Sequence, residues 1–475
     1  MTKTTTIKVL AIAILHFSFS ILNSAAQAAV IDQVIVRQQW PWSTDVKIEY
    51  RLSGVTSPVD ISVTAYNGTT PLDNSNINAA LSGNRFGVTD SVGTIILDPV
   101  KAFGDTKVAI ADFRVELELS DSMYDYDEVL YKIFCLTNNA DVTTITRRDL
   151  MNGKYGAVVT NFANIGQGFK TLLDDVIIWT DVTNNPAYKD THLVMRKIKA
   201  KNVLWTIGSP ESEYGREFEG RSEAQHTVKL TQDYFIGVFE VTQEQYVRIT
   251  DSSNPSNFKS DDGNPYRPVE NVYYTTLRGA RTESANGEKI CWPTNSYKHA
   301  VYASSVCGKL RSKFTTHFDL PTEAQWEFAC RAGTTNSLYN GRAPISNFQA
   351  DVDELAWNSG NSASASSGRY TSGVGKKKPN AFGLYDMLGN VNEVCANFSV
   401  NDISLGGTLS DPLVDPDSGY NPNANFSRQI RGGCASEQAR CSRSAHRGPA
   451  NWADTGRSYY FGFRLVCPDG TTWED

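Results

Sequence analysis

Leu320-Pro321-Thr322-Glu323-Ala324-Gln325-Trp326-Glu327-Phe328-Ala329-Cys330-Arg331-Ala332-Gly333 and Asn380-Ala381-Phe382-Gly383-Leu384-Tyr385-Asp386-Met387-Leu388-Gly389-Asn390-Val391 carry more structural information than any other stretches of the chain. In the first, Thr322 is placed to cap a short helix that starts with Glu323 and turns Trp326 to its buried side. Pro321 helps fix the entry of the chain into that cap. Outward from these blocks, residues 192–467 show isolated short strands, few helical stretches and many aromatic, Gly and Asn residues in loops. Such a domain is held by loop packing, bound ions and internal polar anchors rather than by regular layers. Arg447 and Arg464 are expected to be Arg–carboxylate or Arg–carbonyl anchors, because a loop-rich core must satisfy many buried polar groups. Gly432-Gly433 suits a close backbone approach or positive φ. No repeat of fixed period stands out, which argues against a solenoid or propeller.

The first half has another texture. Val34-Ile35-Val36, Asp45–Tyr50, Val59–Val63 and Val115–Leu119 cluster or alternate β-branched and apolar residues, with turn formers such as Ser53-Gly54, Asn67-Gly68 and Gly83-Asn84 between them. Short strands at this spacing predict an all-β, Ig-like sandwich. Residues 138–190 lack clear periodicity and read as the sandwich's last elements plus a connection. The expected organisation is therefore multidomain: a leader over 1–28, the sandwich and its connection over 30–190, and a loop-rich α+β domain over 192–468. No cluster of catalytic residue types falls in the first half, which reads as a structural or docking module.

Lys3 and Lys8 precede an apolar run from Val9 to Leu22 and small residues ending in Ala26-Gln27-Ala28. That order reads as a secretory signal peptide cleaved after Ala28, and the run is short for a membrane anchor. A secreted or periplasmic protein with no membrane span is expected. The 475 residues carry 45 Lys+Arg and 52 Asp+Glu, and the net charge moves from −7 to −9 once Lys3 and Lys8 are gone. An acidic chain without a basic stripe argues against nucleic acid as a partner.

In order along the second half come Thr206-Ile207-Gly208-Ser209-Pro210, Tyr234–Thr242 with Gln245-Tyr246, Arg267-Pro268-Val269-Glu270, the two long blocks, Arg431-Gly432-Gly433 and Gly462-Phe463-Arg464. This succession resembles the formylglycine-generating-enzyme, or sulfatase-modifying-factor, family over more than half of the chain. The resemblance implies a C-type-lectin-like fold. In active members it also implies oxidation of a sulfatase cysteine to formylglycine with copper and dioxygen. Two active-site cysteines, with four residues between them and shortly after R-G-G, bind the metal there; soft thiolates suit Cu(I).

Counted from the glycines, those positions fall on Glu437 and Ser442, whereas the cysteines present are Cys434 and Cys441. The segment to Arg447 is also shorter than in active members. Cys434 and Cys441 are thus the candidate catalytic residues of a shifted metal site or redox pair, with a structural disulfide or two unrelated thiols as the alternatives. The family's tryptophan-bearing block reads Gly389-Asn390-Val391-Asn392-Glu393-Val394 here, so Asn392 and Val394 replace both tryptophans. Asn392 and Arg447 are the expected substrate-groove positions. The resemblance also implies Ca²⁺ held by the side chains of Asp386 and Glu393 and the carbonyls of Gly389 and Val391, a donor set that suits a hard cation. Cys330 matches a disulfide position whose usual partner falls on Ser444.

Other chemistries find no support. The mature chain's five histidines show no helical zinc spacing, and the first half lacks the histidine triad of the related iron-dependent sulfoxide synthases. The expectation is an exported member that binds a protein, peptide or glycan without oxidising it, a sulfatase being one candidate partner. The alternative is an active oxidase using the shifted Cys434/Cys441 pair with copper.

Overall fold

The structure, a computed structural model, describes residues 28–470 apart from 40–42, 105–109, 111, 123, 138–140, 160–176, 217–222, 262–263, 280–300, 345, 347, 365–367, 399–407, 413–427 and 449–456. Residues 1–27, which hold most of the expected leader, and Cys291 therefore lie outside the described residues. No helix among the described residues is long and apolar enough to cross a membrane. The chain divides into two compact units, Met1–Val129 with Ile145–Val158, and Leu130–Thr144 with Val159–Asp475.

The first unit is β-rich. One sheet has the strand order Val30–Gln38, Val46–Ser53, Val92–Leu97, Leu81–Gly83, and a second has Thr70–Pro71, Val59–Asn67, Phe113–Asp121. Side chains of successive strand residues point to opposite faces, so the period-2 pattern selects the buried set. Ile48, Tyr50 and Leu52 from one sheet and Val59, Ile61, Val63 and Ala65 from the other join one apolar cluster. Antiparallel registers such as Val36↔Ile48 and Val63↔Leu117 join expected strands.

The second unit is built on a five-stranded sheet in the order Val466–Pro468, Tyr234–Gly237, His192–Ile198, Val129–Cys135, Val142–Thr146. Two three-stranded sheets accompany it: Leu204–Ile207, His226–Lys229, Thr408–Ser410, and Arg428–Arg431, Asn392–Phe398, Phe461–Gly462. This arrangement differs from the expected division after residue 190. The strand Val129–Cys135 pairs with His192–Ile198 through Leu193↔Phe134 and Met195↔Lys132. It buries residues on both faces, with Leu130, Tyr131, Ile133 and Phe134 inside, and so serves as an interior strand of the second unit.

The helix Glu323–Arg331 is the central element of this unit, and all nine of its residues are buried. Thr322 caps it as the sequence predicts. Its hydroxyl accepts from Gln325 N at 3.2 Å, and Gln325 Oε1 accepts from Thr322 N at 2.9 Å, forming a reciprocal capping box. Trp326 and Phe328 enter an apolar cluster with Trp205, Tyr234, Leu384 and Met387. Among the largest fully buried side chains are five arginines: Arg278, Arg431, Arg443, Arg447 and Arg464. Each has a carboxylate partner, which is what a core of irregular backbone requires.

Candidate functional site

The turn from Asp386 to Val391 leads into the strand Asn392–Phe398. Asp386, Gly389 and Asn390 all take positive φ, at 54°, 81° and 60°. A Cβ on Gly389 would lie 2.3 Å from the Trp357 carbonyl oxygen, so only glycine fits there. Glu240 braces the turn: its Oε2 accepts from Asn390 Nδ2 at 2.6 Å and its Oε1 from Val391 N at 3.1 Å. Sequence reading quoted Glu240 within a motif but gave it no role. Its burial with paired donors from the turn was not legible from spacing alone.

Of the four expected calcium groups, the structure places Asp386 and Glu393 in one buried region with Glu240 and Arg464. Asp386 Oδ2 accepts from Gly375 N at 2.6 Å, while Oδ1 is buried with no hydrogen-bond partner. Burial pushes the Asp386 carboxyl up to about 6. Burial, then the neighbouring Asp386 and Glu393, raises Glu240 well above the usual carboxylate range. Glu393 is occupied otherwise. Arg464 Nη2 donates to its Oε1 at 2.8 Å, and Trp326 Nε1 donates to its Oε2 at 2.7 Å. Arg464 also donates to the carbonyls of Gly237 and Tyr385, both at 2.8 Å, and is the anchor that the sequence predicts.

The segment after Arg431-Gly432-Gly433 folds back in tight turns. A Cβ on Gly433 would lie 2.8 Å from the Cys441 carbonyl oxygen. Cys434 is a buried free thiol whose Sγ sits 3.2 Å from Ser436 Oγ. Burial and the adjacent Glu437 hold that thiol well above its ordinary pKa. Cys441 follows in a short 3₁₀ turn, Ala439–Cys441. Asn392 Nδ2 donates to Glu437 Oε1 at 3.1 Å, so the residue replacing the groove tryptophan contacts the residue at the first family cysteine position. Cys330 Sγ lies 3.6 Å from Ser444 Oγ, so the expected disulfide position faces a hydroxyl. Arg447 is buried and bonds Glu323 through Nε at 2.8 Å. It lines a cleft with Gly208, Glu223, His226, Glu323 and Glu327, whereas Asn392 is not part of that lining.

His446 is fully buried, and neither ring nitrogen has a hydrogen-bond partner. Burial, with Arg443 and Arg431 nearby, holds it neutral, its pKa well below the ordinary histidine value. Among the described residues, Glu437, Cys441 and His446 form a cluster whose donor atoms all lie within 4.8 Å of one another. This trio lacks the paired-histidine spacing of a helical zinc motif. The signal available was three donor types within ten residues.

With the geometry in hand, a family model described as a sulfatase-modifying factor enzyme 1-like domain matches residues 195–468. The chain belongs to the sulfatase-modifying factor family. A chaperone protein LppX from Paenibacillus barcinonensis is 32% identical over 187 residues, covering 34% of this chain and 61% of that protein. The formylglycine-generating enzyme of Mycobacterium tuberculosis is 32% identical over 168 residues, covering 31% of this chain and 50% of the enzyme. The serine/threonine-protein kinase pkn1 of Chlamydia pneumoniae is 27% identical over 240 residues, covering 50% of this chain and 33% of that one. The chain thus spans between a third and about three fifths of the length of these relatives. Among solved structures, Treponema denticola variable protein 1 is similar at 27% identity and a TM-score of 0.42, over 58% of this chain and 96% of that one.

The copper pair of active family members does not fit the residues present. Its two positions, as counted from the glycines, hold the carboxylate of Glu437 and the hydroxyl of Ser442. Cu(I) wants paired thiolates, while Cys434 is a buried, protonated thiol set against Ser436.

Proposed function

We propose that this chain is an exported, non-oxidising member of the sulfatase-modifying-factor family that binds a protein or peptide ligand, a sulfatase being one candidate. The observation carrying this reading is the Asn392–Glu437 hydrogen bond of 3.1 Å, in which an amide and a carboxylate stand where the family has a tryptophan and a thiol. A carboxylate in place of a thiolate removes half of a soft-metal site, and a neighbouring amide donor stabilises it there. We further propose that the first unit is an Ig-like sandwich and the second a C-type-lectin-like fold.

Calcium is part of the same reading. Asp386 Oδ1, buried without a partner, is the oxygen best placed to accept a cation, with the Gly389 and Val391 carbonyls as companions. Glu393 would share its oxygens between calcium and Arg464. The test is incubation of the purified chain with copper and a C-x-P-x-R sulfatase peptide, followed by mass spectrometry. No aldehyde is expected. Aldehyde that vanishes in Cys434→Ser or Cys441→Ser would establish instead the oxidase with a shifted pair.

A further inference from the structure

We propose that Glu437, Cys441 and His446 bind one divalent ion of the zinc class. Their donor atoms lie within 4.8 Å of one another, Cys441 is 1% exposed and His446 is 0% exposed. Imidazole nitrogen, thiolate sulfur and carboxylate oxygen are the three donor types that zinc accepts in proteins.

The second observation is His446 itself. A buried polar group without a partner is destabilising, and this ring has two such nitrogens. A metal bond at one of them would remove the cost at that nitrogen. Charge also balances. A thiolate and a carboxylate neutralise a divalent ion, so the loaded site adds no net charge to a buried region already holding Arg443 and Arg431.

The geometry asks for a small closure. Bonds of about 2.0–2.3 Å in a tetrahedron put donors roughly 3.4–3.8 Å apart, so the trio must draw in by about 1 Å. Glu437 can supply this movement, being only half-buried while its two partners are enclosed. Asn392 then has a positioning role: its amide donates to Glu437 Oε1 at 3.1 Å and orients the carboxylate. Three protein ligands leave a fourth position for water or a ligand group. This site differs from the Asp386 region in donor chemistry, because thiolate and imidazole disfavour calcium. It goes beyond the proposed function and does not depend on it.

The experiment uses the full purified chain, reduced and stripped by chelator, and titrated with Co²⁺ and then Zn²⁺. One ion per chain is expected, with a thiolate-to-cobalt charge-transfer band that zinc bleaches and excess calcium leaves unchanged. Cys441→Ser should abolish the band. His446→Ala should weaken zinc binding by at least about 100-fold, the upper end of what loss of a supporting contact alone produces. Glu437→Gln, at the half-buried position, should weaken binding while leaving the circular dichroism spectrum unchanged, and Cys135→Ser should leave the band intact. The proposal is overturned if the folded chain gives no thiolate band, if the band survives Cys441→Ser, or if calcium displaces it. Failure here leaves the aldehyde assay untouched, so the two readings stand or fall separately.

Discussion

Removing the guanidinium of Arg464 should be among the most destabilising single changes in the second unit. Its side chain and that of Glu393 are 0% and 1% exposed. The guanidinium satisfies Glu393 and the carbonyls of Gly237 and Tyr385 together. In Arg464→Met, measured with calcium removed by chelator, Glu393 would keep only the Trp326 Nε1 bond of 2.7 Å and would be a buried charge without a counter-ion. Breaking one side of such a pair costs about 3–5 kcal/mol. At about 2 °C per kcal/mol for a large domain, the melting temperature should fall by roughly 6–10 °C. The double variant Arg464→Met/Glu393→Gln should be more stable than Arg464→Met alone. It leaves no isolated charge and keeps an oxygen for Trp326, so about 1–3 kcal/mol should return. Urea unfolding followed by tryptophan fluorescence reads the natural chain, Arg464→Met, Glu393→Gln and the double variant. A loss below about 1 kcal/mol in Arg464→Met, or strict additivity of the two changes, would refute the reasoning.

Calcium chelation should lower the melting temperature of the natural chain and leave Asp386→Asn unchanged, because the ion stabilises only the state that binds it; scanning calorimetry with and without chelator checks this, and no shift in the natural chain counts against the site. Glu270 is expected to set a pH dependence. It accepts from Phe258 N at 2.7 Å, and burial raises its carboxyl from 4.5 to about 7. Between those values the folded chain holds a proton that the unfolded chain has released, so this group's contribution to stability is full below about 4.5 and is lost as pH rises through about 7. Glu270→Gln should flatten that segment of the stability–pH curve, and an unchanged slope would remove Glu270 as its source.

Features governed by local periodicity were legible in the sequence. The alternation in Val59–Val63 named its buried face, and Thr322 announced the helix that carries Trp326 inward. Arg464 and Arg447 were legible as anchors because irregular backbone leaves carbonyls and carboxylates that only a multi-donor cation can satisfy at once. The placement of Val129–Cys135 was not legible. A strand buried on both faces looks the same whichever sheet receives it, and its pairing with His192–Ile198 is set by contacts distant in sequence. The partners of Glu393 and Glu240 were hidden for the same reason, since nothing local tells a carboxylate that binds an ion from one held by Arg464 or by a turn's amides. The Glu437–Cys441–His446 cluster depends on two tight turns whose path a motif count does not specify.

The most direct measurement of the central claim is the mass of a C-x-P-x-R sulfatase peptide after incubation with the natural chain, copper and dioxygen. The account expects the cysteine to emerge unchanged, because Glu437 and Ser442 stand where the copper thiolates would be. Conversion of that cysteine to formylglycine, lost on Cys434→Ser or Cys441→Ser, would contradict it.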